Sequence, residues 1–537
     1  MIYLGQNKFY YKLLICKHIQ FFNNNFMRIF KVVENFFKSK KVFSKYFYNY
    51  KLLKNYTKHN NSIFPKNKHY DQIFLVEFNG WQGIQIAFSY LTNFFLQNKK
   101  CKIIAFNSYN LFEHNKESLL NKIKWNIGKF FKIKNFGVYA SFGVSDFIKP
   151  KYDSSIKNHS LKKVKQFYKK EKNLNDLESF CVEGIWIGDL IYDSYLKKYL
   201  VKTIDLNCSN FKNFFFECLC NFYYWHNYFK KQKIKGIVVA HSVYISGIPS
   251  RIADYQNILN FSFAGSNLVN GTNKTSYKKR ENTSGIHFRY YRKLFKKFKK
   301  PQAYTNIGLG QKYLKELIEG KKKYYYLKKT AFFNKKNSIN YFKSYEKKIK
   351  VIFYPHLFTD SPHVYGNHFF PDFYEWFMFL EKIVKKTDYD WYLKPHPQED
   401  HLTKKTIDLF IKKNSSVKLL PRNLSNSYIA SKKIDFALTV YGTIASELSA
   451  YGIKVINASK NTPHFNYNFC INPKDVTEYK KILLNLKKNN FKINKQDLFE
   501  FHYMKKHYSD FDSYLFTDPE KYFRYYKNRQ IFLTNKC

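Results

Sequence analysis

Two short stretches carry residues suited to holding a phosphate. One is Lys394-Pro395-His396-Pro397, and the other is Tyr441-Gly442-Thr443, which runs on into Ile444-Ala445-Ser446-Glu447. Lys394 and His396 supply N–H donors that pair well with an anionic oxygen. Gly442 lets the backbone approach a ligand closely, and Thr443 and Ser446 add hydroxyl donors. If a helix starts at Thr443, its end offers unpaired N–H groups and a partial positive charge, a setting that suits phosphate. Glu447, one turn further in, brings a carboxylate that can take the two hydroxyls of a ribose. The plainer reading makes Thr443 a cap, Glu447 a capping-box acid and His396 a loop histidine. Both motifs at neighbouring strand ends favour a nucleotide-phosphate site.

The elements that must place these residues can be read from apolar periodicity. WYLK, VKLL, IDFALTV and KVINA are short apolar runs bounded by turn residues, the pattern of buried parallel strands. TKKTIDLFIKK, SNSYIASK and GTIASELSAYG have helical spacing. Alternation of this kind predicts a doubly wound α/β layer with its ligand outside the carboxyl ends of the strands. KIKVIFYP opens that layer. Its first loop, Pro355 to Pro371, carries His356, Asp360, His363 and His368 at spacings that fit no standard zinc pattern, so they read as polar groups lining a cleft. No metal is expected.

A second α/β unit begins near Gln72. IFLVEF is a strand that includes Glu77, NGWQG a turn, IQIAFSYLTNFFL a helix and KIIAF the next strand. The turn holds no G-x-G-x-x-G, GLG at 308–310 lacks the needed spacing, and no G-x-x-x-x-G-K-[ST] occurs. Further on, KIKGIVVAHSVYISGIPSRIADYQNI reads as a buried strand ending in His241-Ser242, then a helix with Arg251. His241 at such an end can act as a base or bind an anion, or serve only as a hydrogen-bonded loop histidine. Arg251 can pair bidentately with a phosphate or an acidic sugar. Gly188-Asp189 precedes the helical pattern LIYDSYL, which places Asp189 at a helix start, as N-cap or as catalytic acid/base, and Asp193 one turn on. Residues 107–180 read as mixed helical.

KPHPQED, TVYGTIASEL with GIKVINAS, and YPHLFTDSPHVYGNHFFPDFYEWFMFL resemble bacterial capsule and surface-polysaccharide biosynthesis glycosyltransferases, over about residues 350–490 and more weakly over 70–265. The resemblance implies two Rossmann-like domains facing across a cleft (GT-B), a nucleotide-sugar as donor substrate and no further cofactor. Composition and element pattern divide the chain into a basic, aromatic extension (1–68), an acceptor domain with insertions (69–340), a donor domain (341–490) and a C-terminal helical tail (491–537), which in proteins of this type can cross back to the first domain. Donor contacts would fall on Lys394, His396, Gly442, Thr443, Ser446, Glu447, His356 and His363. The acceptor, a polysaccharide or lipid-linked glycan, would meet Arg251. An inverting reaction would draw its base from His241, Asp189 or Glu77. Two alternatives stay open: a CDP-alditol phosphotransferase of the teichoic-acid type, and a non-catalytic scaffold of capsule assembly or export.

The chain of 537 residues has 45% hydrophobic and 20% aromatic residues, which fits folded domains with ample core. A net charge of +54 invites a nucleic-acid reading. The lysines are spread along the chain and inflated together with Asn, Phe, Tyr and Ile, so nucleic acid is not the expected partner. A positive surface suits an anionic membrane face or a polyanionic acceptor. The helical patch MRIFKVVENFFKSKKVF could lie on such a surface or pack on the first domain. Eight cysteines at irregular spacing give no zinc or disulfide framework. No apolar run reaches the roughly eighteen residues of a transmembrane helix, and no cleavable signal is evident. A cytoplasmic protein is expected, with capsule-assembly proteins and the inner-membrane surface as candidate partners.

Overall fold

The computed structural model describes residues 54–62, 64, 70–80, 82–107, 119–264, 267–270, 287–321, 341–342 and 348–517. The helical patch at 27–43 and residues 518–537 of the tail lie outside them. The chain divides into two compact units, one of Met1–Pro65 with Ile127–Phe142 and one of Lys66–Asn126 with Gly143–Cys537. In the smaller unit the helix Asn135–Ser141 buries Phe136, Val138 and Tyr139, and Asn60 Nδ2 donates to Ser141 Oγ at 3.0 Å.

The larger unit contains both major sheets. The first comprises β1 (Ile73–Glu77), β2 (Lys102–Phe106), β3 (Val144–Ile148), β4 (Ile234–Val239), β5 (Leu259–Ala264) and β6 (Asn267–Asn270), in the order β3-β2-β1-β4-β5-β6. Five of these strands are parallel, and β6 runs antiparallel to β5. The second comprises β7 (Lys350–Phe353), β8 (Asp390–Leu393), β9 (Val417–Leu419), β10 (Phe436–Thr439) and β11 (Lys454–Asn457), all parallel, in the order β9-β8-β7-β10-β11.

Side chains alternate across a strand, so a continuous apolar run feeds two cores at once. Val351 and Phe353 of β7 join one core with Trp376, Phe377 and Phe410, while Ile352 between them joins another with Leu448 and Phe501. Ile73 and Leu75 of β1 face Phe214 and Trp225. Phe74 faces the other way and stacks on Phe95, at 4.1 Å between ring centroids. Both layers are thus doubly wound, as the strand-and-helix alternation predicts.

Three features escaped the sequence reading. β3 lies in the stretch read as mixed helical, because its edge position lets VSDFI keep two polar residues. Residues Cys181–Val182 and Ile185–Trp186 form a tight hairpin. The glycines at 308–310 belong to a helix, α5, introduced below.

The helices that set the site are α1 (Gln82–Asn98), α2 (Gly188–Tyr199), α3 (Ser209–Lys231), α4 (Ile248–Tyr255), α5 (Lys300–Ile318), α6 (Phe373–Val384), α7 (His401–Lys413), α8 (Ile444–Ala450), α9 (Val476–Leu484) and α10 (Lys495–Thr517). α10 packs along α5 and also reaches α1 of the first layer, so the C-terminal helix does cross back. Gly310 permits the α5–α10 approach: a Cβ there would lie 2.0 Å from the Phe499 carbonyl oxygen. Among the described residues no helix is long and apolar enough to cross a membrane.

Candidate functional site

In the second sheet β7 is flanked by β8 and β10, so the connections that leave the carboxyl ends of these three strands lie side by side. Chain direction reverses its progress across the sheet between β7 and β10, which is where a doubly wound layer opens a crevice. The three connections bring together Lys394 and His396 after β8, His356 to Asp372 after β7, and Tyr441 to Thr443 after β10.

Lys394 is 2% exposed, and its Nζ donates to the Arg422 carbonyl at 3.3 Å. Burial lowers its pKa to about 8 against the pull of Glu447, so the amine remains mostly charged at neutral pH. His396 Nδ1 accepts the Gln398 N–H at 3.1 Å, which turns Nε2 away from the local turn. Burial and Lys394 lower its basicity, and Asp360 opposes them. His356 stacks on Phe373 at 4.3 Å and meets Thr439 Oγ1 through Nε2 at 3.3 Å. Burial, helped by His396, holds His356 neutral, with a pKa near 3.

Thr439 Oγ1 also accepts the Gly442 N–H at 3.2 Å, and a Cβ on Gly442 would sit 2.9 Å from that oxygen. Gly442 is therefore required by its close neighbours. Thr443 precedes α8 without capping it through its side chain, and Ser446 Oγ donates to the Thr443 carbonyl at 3.1 Å. The capping alternative is accordingly not what these residues do. Glu447 is 4% exposed and accepts Asn426 Nδ2 at 3.1 Å. Burial raises its pKa, while Thr443, Lys505, Asn426 and Lys394 lower it. Lys505 comes from α10 and is itself lowered to about 8 by burial, against Glu447. Glu447 therefore lies within electrostatic reach of two lysines, a circumstance the sequence reading missed for want of any signal linking residue 505 to residue 447.

The connection after β7 also docks onto the first layer. His363, expected as a donor contact, is fully buried; its backbone N–H and Nδ1 meet the two carboxylate oxygens of Asp193 at 3.1 and 2.5 Å. Burial disfavours the imidazolium, but Asp193 overrides it and raises His363 to about 9. His363 is thus corrected to a joint between layers, because its ring is committed to Asp193. Tyr192, the neighbour of Asp193 on α2, donates to Asp372 Oδ2 at 2.6 Å, and Asp372 Oδ1 caps α6 through the Glu375 N–H. His368 is neutral: its Nε2–H donates to the Pro362 carbonyl, and Nδ1 accepts from Ser459 Oγ at 2.7 Å.

Asp360 is exposed and accepts a hydrogen bond from Tyr244 Oη at 3.3 Å, across from the end of β4. Tyr244 adopts φ 61° and ψ 177°, a backbone region that is essentially glycine's own and costs a tyrosine on the order of 1–3 kcal/mol. Tyr441 Oη donates to the Ser361 carbonyl at 2.9 Å, and its ring lies 4.8 Å from His356. A chain of contacts therefore runs from β4 through Tyr244, Asp360-Ser361 and Tyr441 to His356 and Gly442. Asp360 acts electrostatically on His241, His356, His396, Tyr244 and Tyr441. The sequence reading placed Asp360 in the cleft but gave it no role.

Of the residues expected in the first layer, His241 is exposed at the end of β4, its ring 6.0 Å from Tyr244. Glu77 is 6% exposed and accepts the Ala240 N–H at 2.5 Å, joining β1 to the end of β4. Asp189 and Arg251 are paired with each other: the guanidinium reaches both carboxylate oxygens at 3.3 and 2.9 Å and also the Trp186 carbonyl at 2.8 Å. Both are buried, which corrects the anion clamp and the base to one internal ion pair. Among the described residues no three His, Cys, Asp or Glu side chains gather as a metal site.

No protein-family model matches the sequence, and no curated protein matches it. Among solved structures, KpsC, a beta Kdo 2,4 transferase from Thermosulfurimonas dismutans, aligns at 14% identity over 50% of this chain and 79% of its own, with a TM-score of 0.33. MnaA of S. aureus with UDP aligns at 11% identity over 86% and 97%, TM-score 0.25. A ugt transferase from Siraitia grosvenorii in complex with UDP aligns at 8% identity over 85% and 98%, TM-score 0.23.

Proposed function

We propose that the chain is a glycosyltransferase that moves a sugar from a nucleotide-sugar to a growing surface or capsular polysaccharide. The observation that carries this reading is the convergence of Lys394, His396, His356 and the Tyr441–Thr443 turn at the strand ends of the second layer, beside an exposed Asp360 that touches Tyr244 of the first. Lys394 and His396 take the nucleotide's phosphate. Glu447 and Asn426, deeper in the layer, take the nucleoside side.

In transfer, an acceptor hydroxyl oxygen attacks the anomeric carbon. The bond from that carbon to the phosphate oxygen breaks, and its electron pair leaves with the nucleotide. Negative charge grows on the departing phosphate, where the already positioned Lys394 amine and His396 N–H stabilise it with little reorganisation. α8 is only two turns long, so the side chains carry more of this stabilisation than the helix dipole. The hydroxyl's proton passes to an exposed group at the junction of the layers. With Asp189 held by Arg251 and Glu77 by the Ala240 N–H, that group is Asp360 or His241.

The test is a set of three variants, His396→Ala, Asp360→Asn and His241→Gln, compared with wild type for nucleotide binding and for sugar transfer. His396→Ala is expected to weaken both. Asp360→Asn or His241→Gln is expected to leave binding intact and lower transfer by roughly 10²–10⁴-fold, the usual share of general base catalysis. Unchanged binding and transfer in folded His396→Ala protein would refute the donor assignment.

A further inference from the structure

We infer that the corner formed by residues 127–134 is a docking surface for an anionic lipid bilayer, an assignment that does not depend on the donor site. The helix Leu119–Phe131 ends there. Ile127, Phe130, Phe131 and Ile133 are 46%, 79%, 66% and 44% exposed. Single apolar residues at a surface are ordinary, but a contiguous set with two adjacent, largely exposed phenylalanines is the mark of an interaction site. The next helix behaves oppositely: Phe136 and Tyr139 are buried, and so is Phe142 beyond it.

The corner is built to hold this shape. Lys132 takes φ 51°, and the Ile133 N–H closes on the Gly128 carbonyl at 3.1 Å, which ends the helix in a left-handed residue. Lys134 follows at φ 54°. A Cβ on Gly128 would strike the Phe136 ring at 2.6 Å, and one on Gly137 would strike the Lys132 carbonyl at 2.4 Å. Two glycines therefore let the chain reverse tightly, and the Phe130 and Phe131 rings meet edge to face at 4.9 Å on the outside.

Charge selects the partner. Lys129, Lys132 and Lys134 interleave with the apolar residues, and no Asp or Glu occurs between residues 118 and 145. Phenylalanines that enter the headgroup boundary while lysines meet anionic headgroups are the complement of an acidic membrane surface.

The experiment uses the full chain and vesicles of phosphatidylglycerol mixed with phosphatidylcholine, against phosphatidylcholine alone, in a flotation assay. Binding is expected only with the anionic lipid. Phe130→Ser/Phe131→Ser is expected to bind at least about tenfold more weakly, with an unchanged thermal midpoint. Lys132→Gln/Lys134→Gln is expected to bind more weakly and to lose much of the preference for phosphatidylglycerol. The proposal is overturned if wild type ignores the anionic vesicles or if the double serine variant binds like wild type. It is overturned equally if that variant unfolds many degrees earlier, because the two rings then pack against another part of this chain.

Discussion

Replacing Asp193 with Asn isolates the joint between the layers. The carboxylate takes both the backbone N–H and the ring Nδ1 of His363 in a fully buried setting. Asn keeps the shape and one acceptor but removes the charge, so the His363 imidazolium loses its partner. Breaking a buried pair from one side costs about 3–5 kcal/mol. The pH dependence gives a second, independent sign. His363 sits at about 9 in the fold against an ordinary value of 6.5. Its contribution is therefore fully present below pH 6.5 and is lost as pH rises through 9, while burial raises Asp193 itself to about 6, a cost that does not change between pH 7 and 10. Lys394 and Lys505, both lowered to about 8 from 10.5, push the other way between those values, overlapping the upper end of the His363 range, because the unfolded chain holds their protons longer. The quantity to follow is thus the difference between wild type and Asp193→Asn, in which the lysines cancel. Urea unfolding at pH 7, 8, 9 and 10 is expected to show a large gap at pH 7 that closes by pH 10. A gap below about 1 kcal/mol at pH 7, or one that is flat across the series, would mean that the pair does not hold the layers as argued.

Other consequences follow from single positions. At Tyr244, glycine is expected to be more stable than alanine by about 1–2 kcal/mol, since only alanine retains the backbone strain; equal stabilities in thermal melts would remove the strain argument. Arg251→Leu is expected to cost about 3–5 kcal/mol by stranding Asp189, with Arg251→Leu/Asp189→Leu recovering part of the loss; a double variant worse than the single would contradict this. Gly310→Ala forces α5 from α10, so it is expected to cost about 1–3 kcal/mol and to loosen α10, read by hydrogen exchange over residues 495–506. Nucleotide affinity is expected to fall as pH rises through about 8, where Lys394 loses its proton, and Lys394→Arg is expected to flatten that fall.

The sequence reading and the structure agree most where periodicity is strong. Apolar runs such as IFLVEF and IDFALTV bury both faces, which only a strand covered on two sides can do, so both doubly wound layers were legible. The positions of Lys394, His396 and Gly442 were legible for the same reason: each follows such a run within a few residues. Less legible was which polar residues would pair with each other. Asp189 and Arg251 are 62 residues apart, and Asp193 and His363 are 170 apart. Nothing in either local pattern distinguishes an internal ion pair from a ligand contact, because both need the same residue types at the same strand and helix ends. Tyr244 escaped for a different reason: a tyrosine in a glycine conformation is invisible to propensity. β3 shows the edge case, where solvent on one side erases the apolar run.

The most direct test of the donor site is a binding measurement, which needs no knowledge of the sugar. Purified wild type and Lys394→Gln are each titrated with CMP, CDP, UDP and GDP while thermal stability is followed. Ligand at a hundred times its dissociation constant stabilises the native state by about 2.7 kcal/mol, which is readily seen. The expected result is that one nucleotide stabilises wild type clearly and that folded Lys394→Gln, measured against its own ligand-free midpoint, loses the effect. A flat wild-type response to all four, or an equal response in the variant, would contradict a nucleotide-phosphate site at Lys394 and His396.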